Sequence, residues 1–148
     1  LPVLGDLPAQ VIHNDFNPYN VLVDPAAPDD VAGIIDFGDM VFGPRVADLA
    51  VAASYQVWSE DWAEKLAAMI SGFSALRPLE TIEIDALPTL IAARLAMTVI
   101  ITEWRASLRP AESDYILRNH RTAWGGLQRL SAIPDADLRR LIHDSCKA

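Results

Sequence analysis

A short polar stretch near the start of the chain lies next to two apolar runs that predict a hairpin. Residues 13–20 read HNDFNPYN, and the apolar runs at 21–23 and 31–35 follow, separated by prolines and aspartates. Two short strands joined by such a turn pair as an antiparallel hairpin. We therefore expect Asn20, before the first strand, to lie beside Asp36, after the second. The pattern predicts a small sheet with polar side chains at its open end.

The residue types at this end suit the transfer of a phosphoryl group to a hydroxyl. That reaction depends mainly on positioning the reactants and neutralising charge. We predict that Asp15 is the catalytic base, and that Asn20 and Asp36 supply oxygen ligands to Mg²⁺, which prefers them. The alternative is that these side chains only cap turns. The joint occurrence of His-x-Asp-(x)4-Asn and Asp-Phe-Gly at hairpin distance argues against that alternative.

The same residues resemble the C-terminal lobe of the aminoglycoside phosphotransferase/choline kinase family, which has a protein-kinase-like fold. Residues 11–51 contain Asn-Val-Leu-Val-Asp, then Ile-Asp-Phe-Gly-Asp, then Asp-Leu-Ala, in the order typical of that family. Asn14 departs from the usual glycine, although Asn tolerates a left-handed backbone better than most residues. Within the family, the loop is most similar to that of hydroxylysine kinase-type phosphotransferases.

The resemblance implies an α+β fold that is mainly α-helical, with a short β-hairpin next to the catalytic loop. It implies a single domain over 1–148, with the catalytic loop at 11–24, a metal-binding segment at 31–40 and a helical subdomain at 44–148. It also implies Mg²⁺, and ATP or GTP as the phosphoryl donor.

Three further residues receive roles from the resemblance, and Asp39 is a separate candidate. His13 would brace the loop through hydrogen bonds, and Asn17 would lie near the transferring phosphate. Asp48 would tie the following helix to the loop. Asp39 would bind substrate or metal, although Gly-Asp is also an ordinary turn sequence.

A kinase-like enzyme also needs a loop that covers the nucleotide and a lysine that binds its phosphates. The chain contains no glycine-rich loop motif, and Lys65 and Lys147 lie in helix-like segments. We therefore expect the N-terminal nucleotide-binding lobe to be absent from this sequence and the 148 residues alone to be inactive. The surface that such a lobe covers would favour self-association.

Composition and charge narrow the expected partners. The content of 51% hydrophobic and 22% charged residues indicates a globular domain. A single cysteine, Cys146, fits a reducing compartment, so we expect the cytoplasm.

Residues 1–104 contain 15 acidic and 4 basic groups, which predicts an acidic cleft for a cationic small-molecule substrate and argues against nucleic acid. A solvated acidic surface is the alternative. The arginines after 104 are expected to face solvent on amphipathic helices.

Apolar spacing predicts five helices after the hairpin. Their expected starts are Pro44, Ser59, Asp85, Ala111 and Pro134. The third, ending near Ser107, is apolar on almost every side. We predict a buried central helix and no membrane span, because the uninterrupted apolar stretch is too short to cross a bilayer. In the fourth, which extends to about residue 131, Tyr115 and Trp124 are expected to face inward.

Two classes of function agree with these features. The first is a small-molecule kinase that phosphorylates a hydroxyl of an amine-containing metabolite or an aminoglycoside. The second is a non-catalytic kinase-like module of a larger protein, such as an aminotransferase fusion. A protein kinase fits less well, because little chain separates Asp39 from Pro44 for an activation segment and no Ala-Pro-Glu follows.

Overall fold

The computed structural model describes residues 4–147 and shows an α+β fold in which helices predominate. The two ends of the predicted domain, residues 1–3 and 148, lie outside the described part. Four strands form two separate two-stranded antiparallel sheets. Strand β1 (Ala9–Ile12) pairs with β4 (Val41–Pro44), and β2 (Val21–Asp24) pairs with β3 (Ala27–Ile34).

The predicted hairpin is present, with a shorter turn than expected. Only Pro25 and Ala26 separate its strands. The side chain of Asp24 accepts a hydrogen bond from the N–H of Ala26 at 2.8 Å, a local bond that Asp commonly makes in turns. The ladder pairs Val21 with Ile34, so the residues that flank the hairpin are neighbours at its open end.

Within residues 4–147, six helices follow the strands. They are α1 (Val46–Ser54), α2 (Trp62–Leu76), α3 (Thr81–Leu108), α4 (Ser113–Ile116), α5 (His120–Ala132) and α6 (Asp135–Ser145). Short 3-10 turns occur at Leu4–Asp6, Pro18–Asn20, Phe37–Asp39, Pro110–Glu112 and Leu117–Asn119. The main core lies between the long helices, where Leu66, Ile70, Leu87, Ile91 and Ile142 are fully buried.

The predicted starts of the first two helices were wrong by two or three residues. Pro44 is the last residue of β4, so α1 begins at Val46. Helix α2 begins at Trp62 after Asp61, while the hydroxyl of Ser59 donates to a backbone carbonyl of the preceding turn. In contrast, Pro134 directly precedes α6 as predicted.

The third helix begins at Thr81 and not at the predicted Asp85, because two glutamates cap its start. Glu80 and Glu83 form a capping box around the first turn. Glu83 is fully buried, and its carboxylate accepts hydrogen bonds from Arg45 Nε at 2.8 Å and Nη2 at 2.6 Å. Hydrogen bonding to Glu83 raises the pKa of Arg45. This pair joins the start of α1 to the start of α3.

The predicted buried central helix is buried on one side only. Helix α3 packs against α1, α5 and α6, and its buried residues are Glu83, Ala86, Leu87, Pro88, Ile91, Leu95 and Val99. Ile100 and Trp104 are exposed. The length and composition of α3 alone would also fit a membrane span, a property that core helices share. Helix α3 therefore has more apolar side chains than its contacts with the other helices bury.

The predicted fourth helix over 111–131 is interrupted. Two 3-10 turns flank the single turn of α4, and α5 begins only at His120. We call residues 110–119 the α4 segment. It contacts α3. It also contacts the loop before β2, because Oδ1 of Asn119 lies 3.5 Å from Oη of Tyr19 in that loop.

Small residues explain why the aromatic side chain of α5, Trp124, does not face inward. The buried residues of α5 are Ala123, Gly126 and Leu130. A Cβ at Gly126 would lie only 3.3 Å from Leu95 of α3, so the two helices approach closely there. Trp124 on α5 is 47% exposed and Tyr115 is 67% exposed. The prediction that both face the core was wrong.

The strands leave much apolar surface in contact with solvent. We call this the strand surface, and it comprises Val11, Leu22, Val23, Val31, Ile34, Ile35, Phe37, Met40, Val41 and Phe42. Phe42 is 76% exposed and Val31 63%. Exposed apolar side chains in such number usually mark an interaction site.

Candidate active site

Polar side chains from five parts of the chain surround a cleft of about 480 Å³. The five parts are the loop 13–20, residues 36–39, Tyr55 at the end of α1, one face of α3 and the α4 segment. Five of the residues predicted for the site line the cleft, namely Asp15, Asn17, Asn20, Asp36 and Asp39. His13 and Asp48 do not line the cleft. They support the loop through hydrogen bonds to its backbone.

The carboxylate of Asp15 is held by three hydrogen-bond donors. Its Oδ2 accepts from Nδ2 of Asn17 at 2.9 Å and from Nδ2 of Asn20 at 3.2 Å. Its Oδ1 accepts from Nη2 of Arg94 on α3 at 2.6 Å. The Asp15 side chain remains 24% exposed. Because a carboxylate has about four lone-pair directions, this group is fixed in place and can still accept a hydrogen bond from a ligand.

The backbone of the loop is fixed by helix α1. The Asp48 carboxylate, in the first turn of α1, accepts hydrogen bonds from the N–H of His13 at 2.9 Å and of Asn14 at 2.6 Å. Asn14 has φ of 65°, in the left-handed region that Asn adopts more readily than most residues. The direction of the chain just before Asp15 therefore depends on a side chain of the helical part.

The imidazole of His13 connects the loop to the strand that precedes Asp36. Its Nε2 lies 2.9 Å from the carbonyl oxygen of Ile35, to which it donates, and its Nδ1 accepts from the N–H of Asp15 at 3.3 Å. One neutral tautomer satisfies both bonds. Phe37 packs on the ring at 5.1 Å between centroids. Both ring nitrogens are used internally, so His13 acts here as a brace.

Asn17 orients the loop through both ends of its amide. Its Oδ1 accepts from the N–H of Tyr19 at 2.9 Å and caps the Pro18–Asn20 turn. Its Nδ2 donates to the backbone oxygen of Asp15 at 3.1 Å and to the carboxylate. The side chain reaches the cleft wall, but its hydrogen bonds are directed to the loop.

The oxygens of Asn20 and Asp36 suit a hard divalent cation. The amide nitrogen of Asn20 donates to Asp15. Among the described residues, neither Oδ1 of Asn20 nor the Asp36 carboxylate accepts a hydrogen bond. Residues 4–147 contain no group of three His, Cys, Asp or Glu side chains arranged for a metal. Two protein oxygens fit Mg²⁺, which typically keeps several waters and binds substrate phosphates.

Three arginines line the cleft. Arg94 and Arg105 come from α3, and Arg118 comes from the α4 segment. Arg105 and Arg118 are exposed as expected, but they face the cleft. Together the three arginines balance Asp15, Asp36 and Asp39, so the lining is not the acidic one that the charge distribution predicted. The available signal was helical spacing. Arg94, Thr98, Ile101 and Arg105 recur every three or four residues, so they share one face of α3.

Comparison with known proteins identifies the family of the chain. Residues 1–80, more than half of the chain, match the APH phosphotransferase enzyme family. The chain belongs to the phosphotransferase enzyme family. It is 30% identical to the hydroxylysine kinase of Mus musculus over 125 residues, which are 80% of this chain and 33% of that protein. It is also 35% identical to the homoserine kinase of Methylocella silvestris over 105 residues, 67% of this chain and 32% of that protein.

The phosphotransferase chain therefore spans about a third of the length of these curated relatives. A hydroxylysine kinase of Xenopus laevis gives a similar result, with 30% identity over 138 residues, 88% of this chain and 37% of that protein. No solved structure matches the chain significantly. The family match ends at residue 80. It includes every site residue predicted from the sequence and none of the three cleft arginines.

Proposed function

We propose that this chain is the catalytic C-terminal lobe of a small-molecule kinase with a protein-kinase-like fold. It would transfer the γ-phosphate of ATP or GTP to a hydroxyl group. The observation that carries the proposal is the position of Asp15. Three donors hold its carboxylate at the wall of a cleft that also contains the uncommitted oxygens of Asn20 and Asp36. The relatives named as hydroxylysine kinase and homoserine kinase support a small hydroxyl compound as acceptor.

In this proposal each group has a separate task. The Asp15 carboxylate accepts a hydrogen bond from the attacking hydroxyl and takes its proton as the new O–P bond forms and the bond from the γ-phosphorus to the leaving oxygen breaks. Asn20 and Asp36 would hold Mg²⁺, which when bound neutralises charge on the phosphates. Asn17 and His13 keep the loop in the required shape, and Asp48 anchors it to α1.

We further propose that this activity belongs to a longer protein that includes a nucleotide-binding lobe. The strand surface supports this idea, because its many exposed apolar side chains, on strands that adjoin the loop 13–20 and residues 36–39 in the chain, are a suitable interface. The 148 residues alone should then not release ADP at a steady rate, and they should self-associate through that surface. A clean monomer in light scattering at high protein concentration would argue against the exposed interface.

The direct test is a coupled assay of nucleotide consumption with the full-length protein. Hydroxylysine, homoserine, amino alcohols and an aminoglycoside should be offered as acceptors, with ATP and GTP as donors. We expect turnover with at least one acceptor and its loss in Asp15→Asn. Turnover that survives this change would refute the assigned base. A folded protein that phosphorylates none of these acceptors would favour the non-catalytic module.

A further inference from the structure

Two arginines of the cleft have no task in the proposed chemistry. Arg105 lies in the last turn of α3 and Arg118 in the α4 segment, and both line the cleft that contains Asp15. Arg94 is already paired with Asp15. Within residues 4–147, neither Arg105 nor Arg118 forms an ion pair with a carboxylate. Two cationic groups that face one cleft without a protein anion favour an anionic group of a ligand.

Arg118 is held in place by aromatic rings. Its guanidinium carbon lies 4.4 Å from the ring centroid of Tyr115 and 5.6 Å from that of Tyr19. Both distances are within the range of cation–π attraction. Within residues 4–147 the N–H groups of its guanidinium donate no hydrogen bond, and their planar fork matches a carboxylate. Tyr19 directly precedes Asn20, so Arg118 is positioned relative to the catalytic loop.

The order of residues along α3 gives the cleft two ends. Arg94 and Arg105 are 11 residues apart in the helix, which corresponds to about 16 Å of backbone rise. Met97, Thr98, Ile101 and Thr102 line the cleft between them. Arg94 marks the end at which Asp15 would meet the hydroxyl. The cleft therefore offers a reacting end, a middle lined by both apolar side chains and hydroxyls, and a cationic far end. Because long helical side chains point toward the N-terminus of their helix, the side chain of Arg105 can extend toward the reacting end.

We propose that Arg105 and Arg118 bind the carboxylate of the acceptor, so that the acceptor is a hydroxy amino acid and not an amino alcohol. This inference rests on the kinase function proposed above and assigns the part of the site that selects the substrate. Asp39 also lines the cleft and has no metal-binding role in the proposed chemistry. Its carboxylate would pair with the ammonium group of the same acceptor. The phosphates of the nucleotide are the other source of anionic oxygens, and the experiment must separate the two.

The test uses two pairs of acceptors that differ only in the carboxylate. Homoserine is paired with 3-aminopropan-1-ol, and 5-hydroxylysine with 1,5-diaminopentan-2-ol. In the full-length enzyme, kcat/KM for the better acid should exceed that for its alcohol by about 10- to 100-fold, the range for a charge-assisted hydrogen-bonded pair. Arg105→Gln and Arg118→Gln should each reduce this preference by about tenfold. They should leave the KM for the nucleotide and the rate with the alcohol nearly unchanged.

Arg121→Gln is the matched control, because Arg121 is an exposed arginine of α5 that does not line the cleft. It should leave the acid preference unchanged. The proposal is overturned if Arg118→Gln lowers the rates with acid and alcohol equally, or if it raises mainly the KM for the nucleotide. An equal loss in the control would also overturn it.

A binding measurement separates this inference from the proposed reaction. Isothermal titration of the full-length protein with each acid and its alcohol requires no turnover. Binding of one acid at least about tenfold more tightly than its alcohol, reduced by Arg118→Gln, would support the carboxylate site even if no phosphate is transferred. Equal affinities would refute the site even if the enzyme proves to be a kinase.

Discussion

Two arginine–carboxylate pairs of this molecule have the same shortest distance and different surroundings. Arg45 Nη2 lies 2.6 Å from Glu83, and Arg94 Nη2 lies 2.6 Å from Asp15. The first pair has two bonds between the guanidinium and the carboxylate, and Arg45 also donates to the carbonyl of Pro78 at 2.9 Å. Its side chains are 14% and 0% exposed, whereas both side chains of the second pair are 24% exposed.

The difference indicates which pair stabilises the fold and which pair contributes to the cleft. Glu83 also accepts from the N–H of Glu80 at 2.9 Å, and its side chain is fully buried, so a ligand cannot reach its carboxylate. In contrast, Arg94 makes one bond to Asp15, and within the described residues its buried Nε has no hydrogen-bond partner. A partly exposed pair beside a cleft can respond to a ligand. A buried pair cannot do so without loss of stability.

The largest expected effect is on activity and comes from Asp15→Asn. Replacement of the carboxylate by an amide removes the proton acceptor, so kcat of the full-length enzyme should fall about a thousandfold. The shape of the side chain is retained, so the free energy of unfolding should change by about 1 kcal/mol or less. Coupled nucleotide consumption and urea unfolding measure the two quantities. If the loss of activity is explained entirely by unfolding, the Arg94–Asp15 pair stabilises the fold just as the Arg45–Glu83 pair does, and the two do not differ in role.

The next effect is on stability and comes from Glu83→Ala. The substitution leaves the Arg45 guanidinium without its buried partner and removes the capping box of α3. Breaking a buried pair in this way typically costs about 3–5 kcal/mol, which urea unfolding would show. The double variant Arg45→Met with Glu83→Leu should recover part of the loss. If the double variant is as unstable as the single one, the unpaired charge is not the cause.

Arg94→Met should affect activity more than stability. Without its Arg94 donor, Asp15 keeps the two amide donors but loses its fixed direction, and kcat should fall about 10- to 100-fold. The free energy of unfolding should change by about 1 kcal/mol or less, because the pair is partly hydrated. Arg94→Lys should restore part of kcat. An increase in the KM for the acceptor with unchanged kcat would show that Arg94 binds substrate and does not position Asp15.

The smallest effect is expected for an exposed pair. Arg140 Nη1 lies 3.1 Å from Asp137, three residues earlier on α6, and the side chains are 70% and 54% exposed. Arg140→Ala should change the free energy of unfolding by less than about 0.5 kcal/mol. A larger loss in thermal or urea unfolding would mean that distance alone, without burial, predicts the strength of these pairs.

The hairpin and the loop before it were predictable because their signals are local. Apolar runs, turn residues and the spacing of polar groups all lie within 13–39, and short antiparallel strands need only neighbouring sequence to pair. Asn14 is a similar case, because its side chain tolerates the left-handed backbone that the structure shows there.

The helical part was less predictable because tertiary contacts decide its details. The start of α3 depends on Glu80, which is not among the usual N-cap residues, and on the bond between Glu83 and its partner Arg45. The inward side of α5 is chosen by the close approach at Gly126 and not by the size of its aromatic residues. The cleft arginines come from α3 and the α4 segment, and no local pattern shows that both meet the loop.

The left-handed backbone of Asp36 affects how substitutions there can be interpreted. Its φ and ψ are 65° and 61°, a conformation that costs most L-residues about 1–2 kcal/mol and Gly, Asn and Asp much less. Asp36→Ala would therefore alter both the backbone and the charge, and any loss of function would have two explanations. Asp36→Asn preserves the tolerated conformation while removing the charge, and Asp36→Gly preserves it while removing the side chain. For this position, a conventional alanine scan is the least informative choice.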